Sequence, residues 1–291
     1  IYGKHPYSHV SLKPADVERI DRESLQRTHR KVLVPNNAVM LIVGDVRRDE
    51  VIKELEQHLD GWQPGTAPVR NFPEVPKREK RSITVVDRPG SSQSNIVIAN
   101  SGFDRSSPDY FASLVMNQVL GAGASSRVFM NLREEKGYTY GAYTRMDARS
   151  LAGDIEATAE VRNDVTGESI SEFFKEFERI RDEKVEAEEL SDAQSFLTGV
   201  FPIRAETQEG LTSLLINREL YGLPEDYLET YRERVKSVTA GEVMDAAQKY
   251  IRPAEMAIVV VGDAASVVPQ IKEFAPTVEV FDTDGNLIES P

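Results

Sequence analysis

Apolar positions along the chain follow two periods, and the switches between them lay out the elements. Recurrence every three to four residues predicts helices over 21–33, 49–59, 108–120, 127–135, 164–183, 186–200, 206–219, 224–235, 239–250 and 267–274. Unbroken or alternating apolar runs predict strands at 38–44, 83–86, 94–100 and 256–262, the first of them buried. Residues 138–148 and 153–161 read as an antiparallel pair, and 278–287 as a short hairpin around Asp284-Gly285. Within 164–183, Ile170, Phe173, Phe174, Phe177 and Ile180 keep helical spacing, which marks them as core. Strands and helices in this order predict an α+β fold, a mixed or antiparallel sheet packed with helices, and not a doubly wound parallel sheet.

The pattern also repeats. Pro35 to Gly44-Asp45 and Pro253 to Gly262-Asp263 both run from a proline through an apolar stretch to Gly-Asp, 218 residues apart (253 − 35). At the same offset Asp21 and Thr239 are good helix N-caps, and Tyr2-Gly3 matches Tyr221-Gly222 with one gap. The chain therefore reads as one complete copy plus the end of a preceding copy. Residues 1–66 are the C-terminal part of the first repeat, 67–81 a linker, and 82–291 a complete second repeat. The linker is read from four prolines in 63–80. Its basic cluster, Lys77, Arg78, Lys80 and Arg81, reads as a solvated face.

Composition narrows the function classes. The net charge of −13 repels phosphate backbones, so nucleic acid is a poor partner. The absence of cysteine excludes disulfides, thiol catalysis and cysteine zinc sites, and suits cytoplasm and periplasm equally. No run approaches the roughly 18 apolar residues of a membrane span.

Little of the remaining chemistry forms a motif. His5 and His9 have the spacing of two ligands on a helix face, but Pro6 between them argues against that helix. His29 and His58 read as ordinary helix residues, and neither H-E-x-x-H nor H-x-x-E-H occurs. Gly121-Ala122-Gly123 precedes a helix but also follows one, without a P-loop lysine, so it reads as a helix cap and turn. Gly210 and Ser213 are not in a nucleophile elbow. Leu132-Arg133-Glu134-Glu135-Lys136-Gly137-Tyr138-Thr139-Tyr140 stands apart. Arg133 offers a planar donor fork, and Tyr140 a hydroxyl that can donate to a developing oxyanion. Taken alone, the segment reads more simply as a helix end with a dipole-favoured cation, then strand tyrosines.

That segment resembles the pitrilysin/insulinase family of inverted zinc metallopeptidases, as do Val85 to Ser94 (Val-Val-Asp-Arg-Pro-Gly-Ser-Ser-Gln-Ser), Pro108-Asp109-Tyr110, Leu120-Gly121 and Ser125-Ser126-Arg127-Val128. The order and spacing of these motifs are more specific than any one of them. The resemblance implies two homologous α+β domains around a chamber. It implies zinc bound by H-x-x-E-H and a distal Glu in the first, and a substrate-contacting Arg and Tyr, seven residues apart, in the second. Arg133 and Tyr140 match that pair. The zinc ligands would lie upstream of Ile1, so zinc is expected in a missing part or in a partner subunit, and this chain has no metal residues. The implied function is the substrate-side portion of a zinc endopeptidase, inactive alone. Its implied partners are a peptide substrate and a zinc-bearing domain or subunit, in a homo- or hetero-dimer. The alternative is a non-catalytic structural subunit of the same family.

Overall fold

The computed structural model describes residues 1–69 and 71–289, and these divide into two compact units. A helical unit comprises Tyr2–Val75 with Pro202–Glu225; a sheet unit comprises Pro76–Phe201 with Ile1 and the described residues from Asp226 onward. Chain order begins with α1 (Pro14–Glu18), α2 (Arg22–Val32) and α3 (Arg48–His58). Then come β1 (Ser82–Asp87), β2 (Gln93–Ser101), α4 (Tyr110–Leu120) and α5 (Arg127–Phe129), which continues as a π-helix over Met130–Glu135. Next are β3 (Thr139–Ala148), β4 (Gly153–Arg162), α6 (Thr166–Asp182), α7 (Ala187–Ala205) and α8 (Gln208–Leu220). The chain continues through α9 (Tyr227–Ser237), α10 (Ala240–Tyr250), β5 (Ala257–Gly262), α11 (Ala264–Ile271), β6 (Val278–Phe281) and β7 (Leu287–Glu289). Among the described residues no helix is long and apolar enough to cross a membrane.

The sheet unit is α+β. Its seven strands run in the order β3-β4-β2-β5-β1-β6-β7. β1 pairs in parallel with β5 and β6, and every other pairing is antiparallel. Alternation along the strands buries Ile83, Val85, Ile96, Ile98, Ile258 and Val260 on one face. The stripe read from the sequence, Ile170 to Ile180, lies buried on α6 in the same cluster. The Gly-Asp strand end has a defined role here. A Cβ on Gly262 would sit 2.7 Å from the Ser94 hydroxyl. Asp263 caps α11 through Ala265 N–H (3.1 Å) and accepts Gly90 N–H (2.9 Å), tying the β1–β2 turn to the helix start.

The repeat is legible in local structure. Shifting α2 (Arg22–Val32) by 218 residues gives the bounds of α10 (Ala240–Tyr250), and the same shift carries the 3₁₀ turn Pro35–Asn37 onto Pro253–Glu255. Both helices start with a capping box, at Asp21 and at Thr239. The equivalence stops at the strand. Residues 38–44 do not form the expected buried strand; Val39 and Met40 are exposed, and among the described residues no strand pairs with them. The physical reason is pairing. β5 is held between β1 and β2, and residues 1–62 contain no counterpart of either. The helical unit relies instead on small clusters. His5 packs between Tyr7 and Phe72, and Asn36 exchanges two hydrogen bonds with Gly65.

The basic cluster is not wholly solvated either. Arg78 donates to the Glu255 carbonyl (2.8 Å) and the Ser82 hydroxyl (2.6 Å), and the Arg81 guanidinium lies 4.3 Å from the Phe174 ring centre. Their long stems reach partners far along the chain that a charge pattern alone does not reveal. Arg70, inside the predicted linker, lies outside the described residues.

Phe173→Ala is expected to cost about 3–5 kcal/mol in urea unfolding, the range for a buried phenylalanine. Two glycines are expected to diverge in the same assay. A Cβ on Gly153 would fall onto the carbonyl oxygens of Asp147 and Phe103, so Gly153→Ala destabilises. Gly199, in α7, has open space around it, so Gly199→Ala stabilises by about 0.5–1 kcal/mol.

Candidate functional site

The segment from Ser126 to Ala148 contains two insertions of one residue. The first is the π-helix. Ser126 starts the helix, its hydroxyl donating to the Gly123 carbonyl (2.5 Å). After Phe129 the turns widen. Lys136 N–H bonds to the Asn131 carbonyl five residues back (3.0 Å), and Tyr138 N–H to the Leu132 carbonyl six back (2.9 Å). Gly137, with φ of 65°, ends the helix in the left-handed region, where glycine is favoured. Arg133 lies on the outer face of this wide turn. Its guanidinium is 4.9 Å from the Phe129 ring centre and 3.4 Å from a Glu134 carboxylate oxygen.

The second insertion is a bulge in β3. Thr139 pairs with Val161 and Ala142 with Ala159, so three steps on β3 face two on β4. The Thr139 hydroxyl holds the bulge, accepting from Gly141 N–H (3.1 Å) and donating to the Glu160 carbonyl (2.6 Å). The bulge decides where Tyr140 points. Ala142 and Thr144 are buried, and strict alternation would bury Tyr140 with them. The extra residue turns it outward, to 91% exposure. Its hydroxyl has no hydrogen-bond partner among the described residues, whereas the Tyr138 hydroxyl donates to Glu168 (2.7 Å), which pushes the Tyr138 pKa up. Tyr143, on the same outer face, lies across Gly141 and 5.6 Å from the Phe129 ring.

Thus Arg133 and Tyr140 both face solvent, on either side of a tight helix-to-strand turn. Sequence reading missed Phe129 and Tyr143. Phe129 was detectable as the residue one helical turn before Arg133. Tyr143 was not, because the bulge resets the strand's alternation.

Beneath the segment lies a polar layer. Arg127, buried, donates to both carboxylate oxygens of Glu189 at 2.8 and 2.7 Å. The Arg127 hydrogen bond holds the Glu189 carboxyl below its usual value. Burial works against the Arg127 charge, but Glu189 outweighs it and raises the guanidinium pKa. The Pro108-Asp109-Tyr110 motif is structural. Asp109 accepts from Lys249 (2.6 Å) and the Tyr250 hydroxyl (2.6 Å), and Arg105 stacks 3.4 Å over the Tyr110 ring. Gly121 caps α4, and a Cβ there would fall onto Thr144, so close packing explains that glycine without a phosphate ligand.

A zinc ion does not fit the donors present. Among the described residues no group of three His, Asp or Glu side chains comes together to hold a metal. His5 is buried among aromatic rings, its Nδ1 accepting from Tyr7 N–H (3.2 Å).

Known proteins share this architecture. The profile of the peptidase M16 inactive domain matches residues 19–197. A Helicobacter pylori protein named a non-peptidase homolog, YmxG, is 23% identical over 84% of this chain and 56% of its own length. A Streptomyces coelicolor protein named an uncharacterized zinc protease is 22% identical over 85% of this chain and 55% of its own. The chain thus spans a little over half the length of these relatives. The crystal structure of a peptidase M16 inactive domain from Pseudomonas fluorescens superposes with a TM-score of 0.82 at 26% identity, covering 90% of this chain and 62% of that one.

The Arg127–Glu189 pair generates a pH prediction. A lowered carboxyl pKa stabilises the fold above the unfolded value, and this contribution disappears as pH falls through the folded one. The gap in melting temperature between wild type and Glu189→Gln is therefore expected to be widest near neutrality. It should close as pH drops below about 4.5, the ordinary Glu value.

Proposed function

Because the chain belongs to the family of the peptidase M16 inactive domain, we propose that it is the substrate-side portion of a zinc-dependent endopeptidase that hydrolyses peptides. In this reading Arg133 and Tyr140 bind the peptide, and zinc belongs to another domain or to a partner subunit of the same family. The observation that carries it is the outward turn of Tyr140 at the β3 bulge, with a hydroxyl that no described protein group occupies.

The chemistry comes from those two groups. Zinc, where bound, supplies an activated water. Tyr140 donates its O–H to the peptide carbonyl oxygen as that oxygen gains negative charge, an interaction stronger in the transition state than in the ground state. Arg133 presents a donor fork to backbone carbonyls nearby, holding the peptide in place. The Phe129 ring beneath the guanidinium limits its freedom, so less ordering is left for binding to supply.

A second reading has its own support. The H. pylori relative is named a non-peptidase homolog. In that case the chain belongs to a non-catalytic structural subunit that keeps the fold.

The two readings separate on hydrolysis of an unstructured reporter peptide by this chain mixed with a zinc-bearing chain of the family. The peptidase reading expects turnover that Tyr140→Phe lowers about 10²–10³-fold in kcat, the usual effect of losing one oxyanion donor. Arg133→Ala is expected to act mainly on KM. Turnover indifferent to Tyr140→Phe removes the assigned role. Absence of turnover, with recovery in a larger assembly and no peptide binding, favours the structural subunit.

A further inference from the structure

The wide turn that presents Arg133 is fixed at Asn131. Its carbonyl accepts Lys136 N–H five residues on (3.0 Å), the bond that makes the turn π. Its side chain is buried, and the amide nitrogen donates to two α6 carboxylates, Glu172 (3.1 Å) and Glu176 (2.8 Å), one helical turn apart. The amide oxygen accepts no hydrogen bond from the described residues, so the group is oriented wholly through its nitrogen. Glu172 also faces Lys136 Nζ at 3.8 Å. One carboxylate therefore touches both residues whose backbone bond defines the π turn.

Two buried carboxylates side by side are costly unless bridged. Lys175 bonds Glu172 at 2.5 Å, and Arg179 lies 3.7 Å from Glu176. Burial pulls the Glu172 pKa up, but hydrogen bonds from Lys175 and Asn131 and the Lys175 and Lys136 charges outweigh it and lower it. Val128 and Leu132 on the same helix join the apolar core, whereas Arg127, one turn before Asn131, is buried against Glu189. One turn further on, the polar contact at Asn131 fixes the location of residue 131 against α6.

We propose that Asn131 is a positioning residue: clamped by Glu172 and Glu176, it holds the π turn and so the direction in which Arg133 meets the peptide. This rests on the peptide-binding role assigned to Arg133 above. One residue inserted into a helix rotates the downstream turns by about 100°. Without the clamp the turn relaxes toward α-helical bonding, Lys136 N–H moves from the Asn131 to the Leu132 carbonyl, and Arg133 turns relative to β3.

The test has two readouts on the full chain. One is the shift of the Lys136 amide proton set by its bond to the Asn131 carbonyl, identified by NMR coupling across that bond without peptide. The other is the affinity for a fluorescein-labelled unstructured peptide, measured by anisotropy. Asn131→Ala is expected to abolish the shift and to weaken peptide binding about tenfold, as Arg133→Ala does. The double variant should bind no more weakly than Arg133→Ala alone, because both substitutions remove one interaction. Glu176→Gln keeps an acceptor for Asn131 and is expected to retain both the shift and the affinity. An unchanged shift in Asn131→Ala overturns the proposal, as do losses that simply add in the double variant. If Asn131→Ala does not fold, Glu172→Gln serves in its place. It frees Lys136 and is expected to lose part of the shift, and a full shift there overturns the clamp. Loss of the shift in Asn131→Ala with peptide binding indifferent to Arg133→Ala is a different result. It leaves the clamp standing and sinks the role of Arg133 in binding, and with it the functional half of the proposal.

Discussion

Backbone hydrogen bonding in helix and strand tolerates an extra residue only where something holds the irregularity in place, and the surface formed by Arg133, Tyr140 and Tyr143 over the buried Phe129 depends on two such places. In the helix, the extra residue is held by Lys136 N–H on the Asn131 carbonyl, with α6 carboxylates on the Asn131 side chain. In the strand, it is held by the Thr139 hydroxyl bonded to Gly141 and Glu160. Each insertion redirects the residues after it, turning the helix by about 100° and moving the strand's side chains from one face to the other. Neither element would present these side chains together if its ladder ran regularly.

The rest of the sheet unit makes those irregularities sustainable. β3 is an edge strand, where a bulge disturbs one ladder and not two. α6 is anchored by Phe173, Phe177 and Ile180, and so offers a rigid base for Glu172 and Glu176. A polar layer on a well-packed helix can fix a direction; the same layer on a loose helix would only add cost.

The helical unit illustrates the opposite case. Its α2 and its Pro35–Asn37 turn match the sheet unit at a constant offset, because capping boxes and prolines act locally. The apolar stretch after them does not become a strand, because strand formation requires neighbours to accept and donate its hydrogen bonds. The chain belongs to the M16 inactive-domain family, and among its described residues no group of side chains comes together to hold a metal.

Much of this was determined by the sequence alone. The α6 stripe, the capped helices, the α+β class, the Gly137 helix end and the family motifs are local or periodic features, and a linear pattern records them. The resemblance named Arg133 and Tyr140 as a pair, and residues close in sequence stay close in space. What only the tertiary structure decided was direction. Period-two alternation puts Tyr140 inside with Ala142 and Thr144, and one unpaired residue in β3 puts it outside. Nothing in 127–135 announces a π turn, because its cause is a pair of carboxylates more than forty residues away, at Glu172 and Glu176. Arg78 and Arg81 looked solvated for the same reason, since their partners at Glu255 and Phe174 are distant in sequence. Periodicity describes a chain's own ladder; it carries no information about the distant groups that pin an irregularity within it.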